Sequence, residues 1–202
     1  MVAELARRCA PRLLHLAGDG TGLSTRRFER WIAARTHSGH RHTFVKLHAL
    51  VSTRAQFPLF YAARVTDPYT NDVTELRGLL AQLPPELSLG NVALDRGYIG
   101  KRNAQAIADR GGRPVVALRQ NIPITTTPDG RPAWKAMVVD QLTHLREFRC
   151  RYRRRSVIEG VFGAFKARFG SSIRSRHAAA QRVEILSRVV VWNALAVSYH
   201  ES

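Results

Sequence analysis

Cysteine is scarce in this chain. Its 202 residues include two, Cys9 and Cys150, far apart and in no paired spacing. That excludes a disulfide scaffold or a zinc ribbon and suits a reducing cytoplasm. Lysine is scarce too: only Lys46, Lys101, Lys135 and Lys166 stand among 32 cationic residues. Acids number 15. No apolar run approaches a membrane span, the longest of note being VVVWNALAV at 189–197. The N-terminus, with Glu4, scattered arginines and a short apolar patch, lacks the pattern of a signal peptide. There is no internal repeat and no low-complexity tract.

What remains is enough for a globular domain. With 45% hydrophobic residues the chain can bury a core, and its length suits one domain over 1–202. The net charge is +17. A surface so basic concentrates polyanions around it, which makes nucleic acid the first partner to consider. A GC-rich genome would also favour arginine over lysine. The crowding of arginines into residues 146–155 argues for a functional reason.

The hydrophobic pattern alternates between strands and helices. RLLHLAGDGTG (12–22) reads as a short buried strand over 12–19 entering a turn. TFVKLHALVS (43–52) and FPLFYAARVT (57–66) read as a hairpin. NDVTELRGLLAQL (71–83) is an amphipathic helix, with Asp72 assigned to its cap and Pro84-Pro85 ending it. A strand over 91–95, a helix over 101–111 closed by Gly111 and a strand over 113–119 follow. Residues 120–150, which contain the turn signal PDGRP, read as a loop insertion, and residues 1–11 as an N-terminal extension. Helices over 152–169 and 179–200 complete the chain. This order predicts an α/β fold: a ribonuclease H-like mixed sheet flanked by helices.

The acids fall at chemically useful places in that order. Asp19 and Asp95 close two strands, and functional groups in open α/β sheets gather at the strands' carboxyl ends. Glu159 would reach the same edge from a late helix. Taking about 100° per residue, Tyr152, Arg155, Glu159 and Lys166 form one polar stripe on that helix. Ile158, Val161, Phe162, Phe165 and Phe169 form the adjoining apolar arc. Three converging carboxylates would suit hard divalent cations, which take oxygen ligands. The cations beside them would hold phosphates.

Plainer readings exist for each group. GDGTG is also an ordinary turn sequence. Asp95 could cap a following turn, and Glu159 could simply pair with Arg155 one helical turn away. Asp67, at the end of the third strand, is a rival acid ranked below Asp19. His37, His40 and His42 in HSGHRH have no acid or cysteine near them in sequence, so a solvated loop or DNA-backbone contact is favoured over a metal site. Trp192 is expected in the core, and Trp134 in a loop, available to stack on a base. Trp31 follows no regular spacing with either.

Tyr152-x2-Arg155-x3-Glu159-x6-Lys166 resembles the Y-R-E-K signature of bacterial and archaeal insertion-sequence DDE transposases. GDGTGLST is similar to that family's first-aspartate segment, ALDRGYIGKRN to its second, and VKLHALV to the strand after the first aspartate. The resemblance runs from about residue 13 to 197. It implies a ribonuclease H-like catalytic domain that cuts DNA at transposon ends and transfers the strands to target DNA, acting as a homodimer. It further implies two Mg²⁺ or Mn²⁺ ions held by Asp19, Asp95 and Glu159. Tyr152, Arg155, Lys166, Arg151 and Arg154 would be DNA contacts. Only 18 residues precede Asp19. The expectation is therefore a catalytic core without the family's helical end-recognition region. Two alternatives stay open: another ribonuclease H-like nuclease, and a DNA-binding remnant without catalysis.

Overall fold

A computed structural model describes residues 13–25, 44–118 and 132–201. Its centre is a five-stranded sheet in the order β3-β2-β1-β4-β5. The strands are β1 (Leu13–Ser24), β2 (Phe44–Ser52), β3 (Phe60–Thr66), β4 (Ser88–Leu94) and β5 (Arg113–Val116). The first three form an antiparallel meander, β4 pairs parallel with β1, and β5 pairs parallel with β4. This is the mixed sheet expected of the ribonuclease H-like class.

Helices cover both faces, because the strands are apolar on both. The helices α1 (Asp72–Leu80), α2 (Lys101–Ala108) and α3 (Pro132–Thr143) cover one. Leu76, Leu79, Ile107 and Met137 there pack with Leu14, Leu16, Leu50 and Leu94. The other face carries α4 (Leu145–Tyr152), α5 (Ser156–Phe169) and α6 (Ala178–Glu201). There Ile158, Val161, Phe162 and Phe165 join Ala17, Leu47, Ala49 and Trp192, as the apolar arc on α5 predicts. Phe165 is fully buried, its ring 5.7 Å from that of Phe60 and 6.2 Å from that of Trp192. Such aromatic packing contributes beyond the area it buries.

Two buried polar groups of α6 on this side are satisfied by β3 and the segment just before it. Asn193 of α6, fully buried, accepts from the Phe60 N–H at 2.8 Å and donates to the Phe60 carbonyl at 2.7 Å. It thereby completes the backbone pairing of the edge strand β3. The Trp192 indole N–H donates to the Pro58 carbonyl at 2.8 Å. The apolar end of α5 is closed by Gly170 at φ +86°, a conformation glycine adopts without a Cβ clash. From there the chain bonds back to β1: Ser24 N–H donates to Ser171 O, and Ile173 N–H to Ser24 O. So α5 is fixed against β1 at its far end.

Four sequence expectations need correction. The first strand does not end at Asp19: pairing with β2 continues to Ser24, and GDGTG is strand, because its glycines and threonine sit in an unbroken antiparallel ladder. Residues 132–150, expected as part of a loop insertion, are helical. Pro132 opens α3, a position where its missing N–H costs nothing, and Phe148 of α4 packs on Ala93 and Val115. Trp134 is therefore a buried core residue of α3, not a loop aromatic. The helix expected over 152–169 begins as the end of α4, passes through a 3₁₀ turn at Arg153–Arg155 and continues as α5. Cys9, Trp31, HSGHRH and most of PDGRP lie outside the described residues.

Candidate active site

Register brings the two aspartates together. Gly18 of β1 pairs with Leu94, the last residue of β4, so Asp19 lies beside Asp95 as that strand ends. Asp95 leads a 3₁₀ turn, Arg96–Tyr98, and accepts a long bond of 3.5 Å from Gly97 N–H. Asp19 has the parity of Ala17 and Leu23, the face covered by α5. Its Oδ1 accepts from the Gly20 N–H at 2.7 Å.

Arg155 ties these acids to α5. Its Nη1 is 3.7 Å from Asp19 Oδ2 and 3.9 Å from Asp95 Oδ1, and its Nη2 is 2.7 Å from Glu159 Oε1. One guanidinium thus stands among all three carboxylates. Burial pushes the Asp19 carboxyl up to about 6, and the nearby Asp95 and Asp72 charges push the same way. The Gly20 N–H and Arg155 pull it back. Glu159 is half exposed, so it faces solvent at the rim. Among the described residues no group of three His, Cys, Asp or Glu side chains is spaced to hold a metal ion. The donor set is nevertheless all carboxylate oxygen, the chemistry hard divalent cations take. Arg155 is the positive charge that lies among those oxygens.

The other expected contact residues are spread along the same side. Tyr152 stacks on Phe148, with ring centroids 5.9 Å apart, and Arg155 Cζ lies 5.8 Å from the Tyr152 centroid. Burial raises the phenol's pKa. Lys166 is two turns beyond Glu159, about 10 Å by the helical rise, and does not join the acid cluster. Burial lowers its pKa. Arg154 is exposed, whereas Arg151 is committed to Asp140 at 2.5 Å. Asp67, the rival acid, is a turn builder: its oxygens accept from Tyr69 N–H and Thr70 Oγ1 at the edge of the sheet.

Behind the aspartates lies a network that the sequence reading did not find. Asp72 does not cap α1; it turns inward, with Oδ1 2.6 Å from Lys46 Nζ and 3.2 Å from His48 Nδ1. His48 is fully buried and also meets Tyr98 Oη at 3.1 Å and Thr66 Oγ1 at 3.0 Å. Burial opposes ionisation of Asp72, but His48 and Lys46 together hold its carboxyl below the ordinary value. Burial and the Asp72 charge push the Tyr98 phenol upward. The network presses on both aspartate segments. A Cβ at Gly20 would come within 2.9 Å of Lys46 and 3.1 Å of Asp72, and one at Gly97 within 2.8 Å of Asp72. Glycine is needed there for close approach. The available signal was the alternation Lys46-x-His48: both fall on the face of Leu50, where buried charges require a partner.

Comparison with known proteins fits this geometry. The family model of the transposase DDE domain matches residues 11–194. The chain belongs to the DDE transposase family. A relative from Burkholderia cepacia, named as a transposase for insertion sequence element IS402, is 32% identical over 180 residues, which is 80% of this chain and 82% of that protein. No solved structure matches significantly. Among the described residues, no helix of this transposase domain is long and apolar enough to cross a membrane.

Proposed function

We propose that this domain cleaves DNA at transposon ends and joins the freed strands to target DNA, with Asp19, Asp95 and Glu159 as the metal-binding acids. The observation that carries the reading is the meeting of all three around the Arg155 guanidinium, at the carboxyl end of β4 and within the matched family domain. The donor set fits two Mg²⁺ or Mn²⁺ ions, which when bound would activate the attacking oxygen and stabilise the departing one.

The chain's own groups then have separate tasks. Burial, with the Asp95 and Asp72 charges nearby, makes the Asp19 carboxylate costly to leave bare, so a bound cation would take the place of its proton. Arg155, released from the acids, would turn to the phosphate beside the scissile bond, with Tyr152 keeping its place through the ring contact. Lys166 would hold a phosphate farther along α5. The Asp72–Lys46–His48 network would fix the backbone that bears Asp19 and Asp95. In the first step water attacks the phosphodiester, the P–O3′ bond breaks and a 3′-hydroxyl leaves. In the second that hydroxyl attacks a target phosphodiester, forming one P–O bond as another breaks. Two copies, one per transposon end, would act together.

The test is nicking of supercoiled DNA carrying the element's ends, with Mg²⁺ or Mn²⁺ and with chelator. Cleavage should require metal and vanish in Asp19→Ala, Asp95→Ala and Glu159→Gln. Cleavage that survives any of these changes would remove that residue from the triad.

A further inference from the structure

A second cluster of cations borders a cavity on the same face of the sheet, toward the amino-terminal ends of β1 and β4. The cavity measures about 170 Å³. His15, Thr53, Arg54, Asn91, Arg151 and Arg154 are among its walls. It is large enough for a tetrahedral oxyanion, since a liquid water occupies about 30 Å³. Its polar atoms ask for an acceptor. His15 Nδ1 accepts from the Asn91 N–H at 3.1 Å, so in the neutral ring the proton lies on Nε2. That Nε2–H is buried and has no hydrogen-bond partner among the described residues. The same is true of Arg151 Nε, another donor. His15 is locked in place, its ring lying where a Cβ on Gly90 would come within 2.7 Å. Burial and the Arg54 charge both disfavour its protonation.

Orphaned donors need an acceptor, and the guanidinium groups of Arg54, Arg151 and Arg154 around the same pocket favour one that carries negative charge. We propose that this cavity binds a phosphate-class oxyanion, supplied by a backbone phosphate of the DNA that the domain processes. The DNA source rests on the transposase reading; the oxyanion site does not. His15 precedes Asp19 by four strand residues with the same facing, about 13 Å by the strand rise. That matches roughly four nucleotides of one duplex strand along the helix axis. The site would hold DNA a few nucleotides from the scissile phosphate, with the Arg153–Arg155 turn between.

The test uses the full chain without divalent metal. Sodium phosphate is titrated against sodium chloride at matched ionic strength, followed by thermal melting and by the His15 imidazole resonance, assigned through its loss in His15→Gln. Phosphate should raise the melting temperature and shift the His15 signal in the wild type. Arg54→Gln, an exposed change that spares the core, should weaken phosphate binding about tenfold. A short DNA duplex should displace phosphate from this site. Phosphate that binds but is not displaced would overturn the DNA source, and the site would belong to a free oxyanion. No response beyond that to chloride, or an equal response in Arg54→Gln, would overturn the site itself. Because nothing is cut, failure here is distinct from failure of the catalytic reading.

Discussion

The Arg155 guanidinium lies 3.7 Å from Asp19, a residue 136 positions earlier in the chain, and bonds Glu159 with its other nitrogen. A cationic side chain thus occupies the position among the acids where a metal's charge would be useful. Removing it should leave three carboxylates repelling one another. Arg155→Ala should therefore lower the melting temperature modestly in chelator, with Mg²⁺ restoring more stability to the variant than it adds to the wild type. Melting curves with and without Mg²⁺ check this, and equal Mg²⁺ responses would disagree.

Asp19 carries a pH prediction. Its pKa rises on folding from 3.8 to about 6, so the folded state binds the proton more tightly. Stability from this group is full below the unfolded value and is lost as pH rises through about 6. Asp19→Asn escapes that loss. Without metal it should be more stable than wild type at pH 8, by about 1–3 kcal/mol, and the gain should disappear near pH 4. Denaturation at both pH values measures it.

The two sides of α5 should separate folding from DNA contact. Phe165→Ala should cost about 3–5 kcal/mol, because a fully buried ring is lost from an aromatic cluster. Lys166→Ala should cost far less stability yet weaken DNA binding or cleavage. Equal destabilisation by the two would place Lys166 in the core.

Asp72 should matter to catalysis without touching DNA. Asp72→Asn keeps the shape but removes the charge that Lys46 and His48 face. Nicking should fall at least tenfold while DNA affinity, read by fluorescence anisotropy, stays near wild type. Asp72→Glu should recover little, since a longer side chain moves the carboxylate from its place beside Lys46 and His48.

Much of this was legible in the sequence, for identifiable reasons. Short apolar, β-rich runs located all five strands, because strands covered on both faces are apolar throughout, and helical periodicity gave the polar and apolar sides of α5. The spacing from Tyr152 to Lys166 placed Arg155 and Glu159 on one face. Asp19 and Asp95 both read as strand ends, which predicts that they meet; they do meet, although β1 runs on past Asp19. The Asp72 network was illegible because Asp72 sits where a helix cap is expected and local chemistry explained it fully. Only the packing of α1 against β2 brings Lys46 and His48 to it. Helices α3 and α4 were hidden by PDGRP, a strong turn signal just ahead of Pro132, and by the weak segregation of apolar residues along α3.

The most direct test of the central claim is Mn²⁺ binding, followed by electron paramagnetic resonance of the free ion. The wild type should take up two Mn²⁺ per chain when DNA is present. Asp19→Ala, Asp95→Ala and Glu159→Ala should each lose at least one while still binding DNA. Mn²⁺ uptake unchanged across all three variants would contradict the assignment of these acids as the metal site.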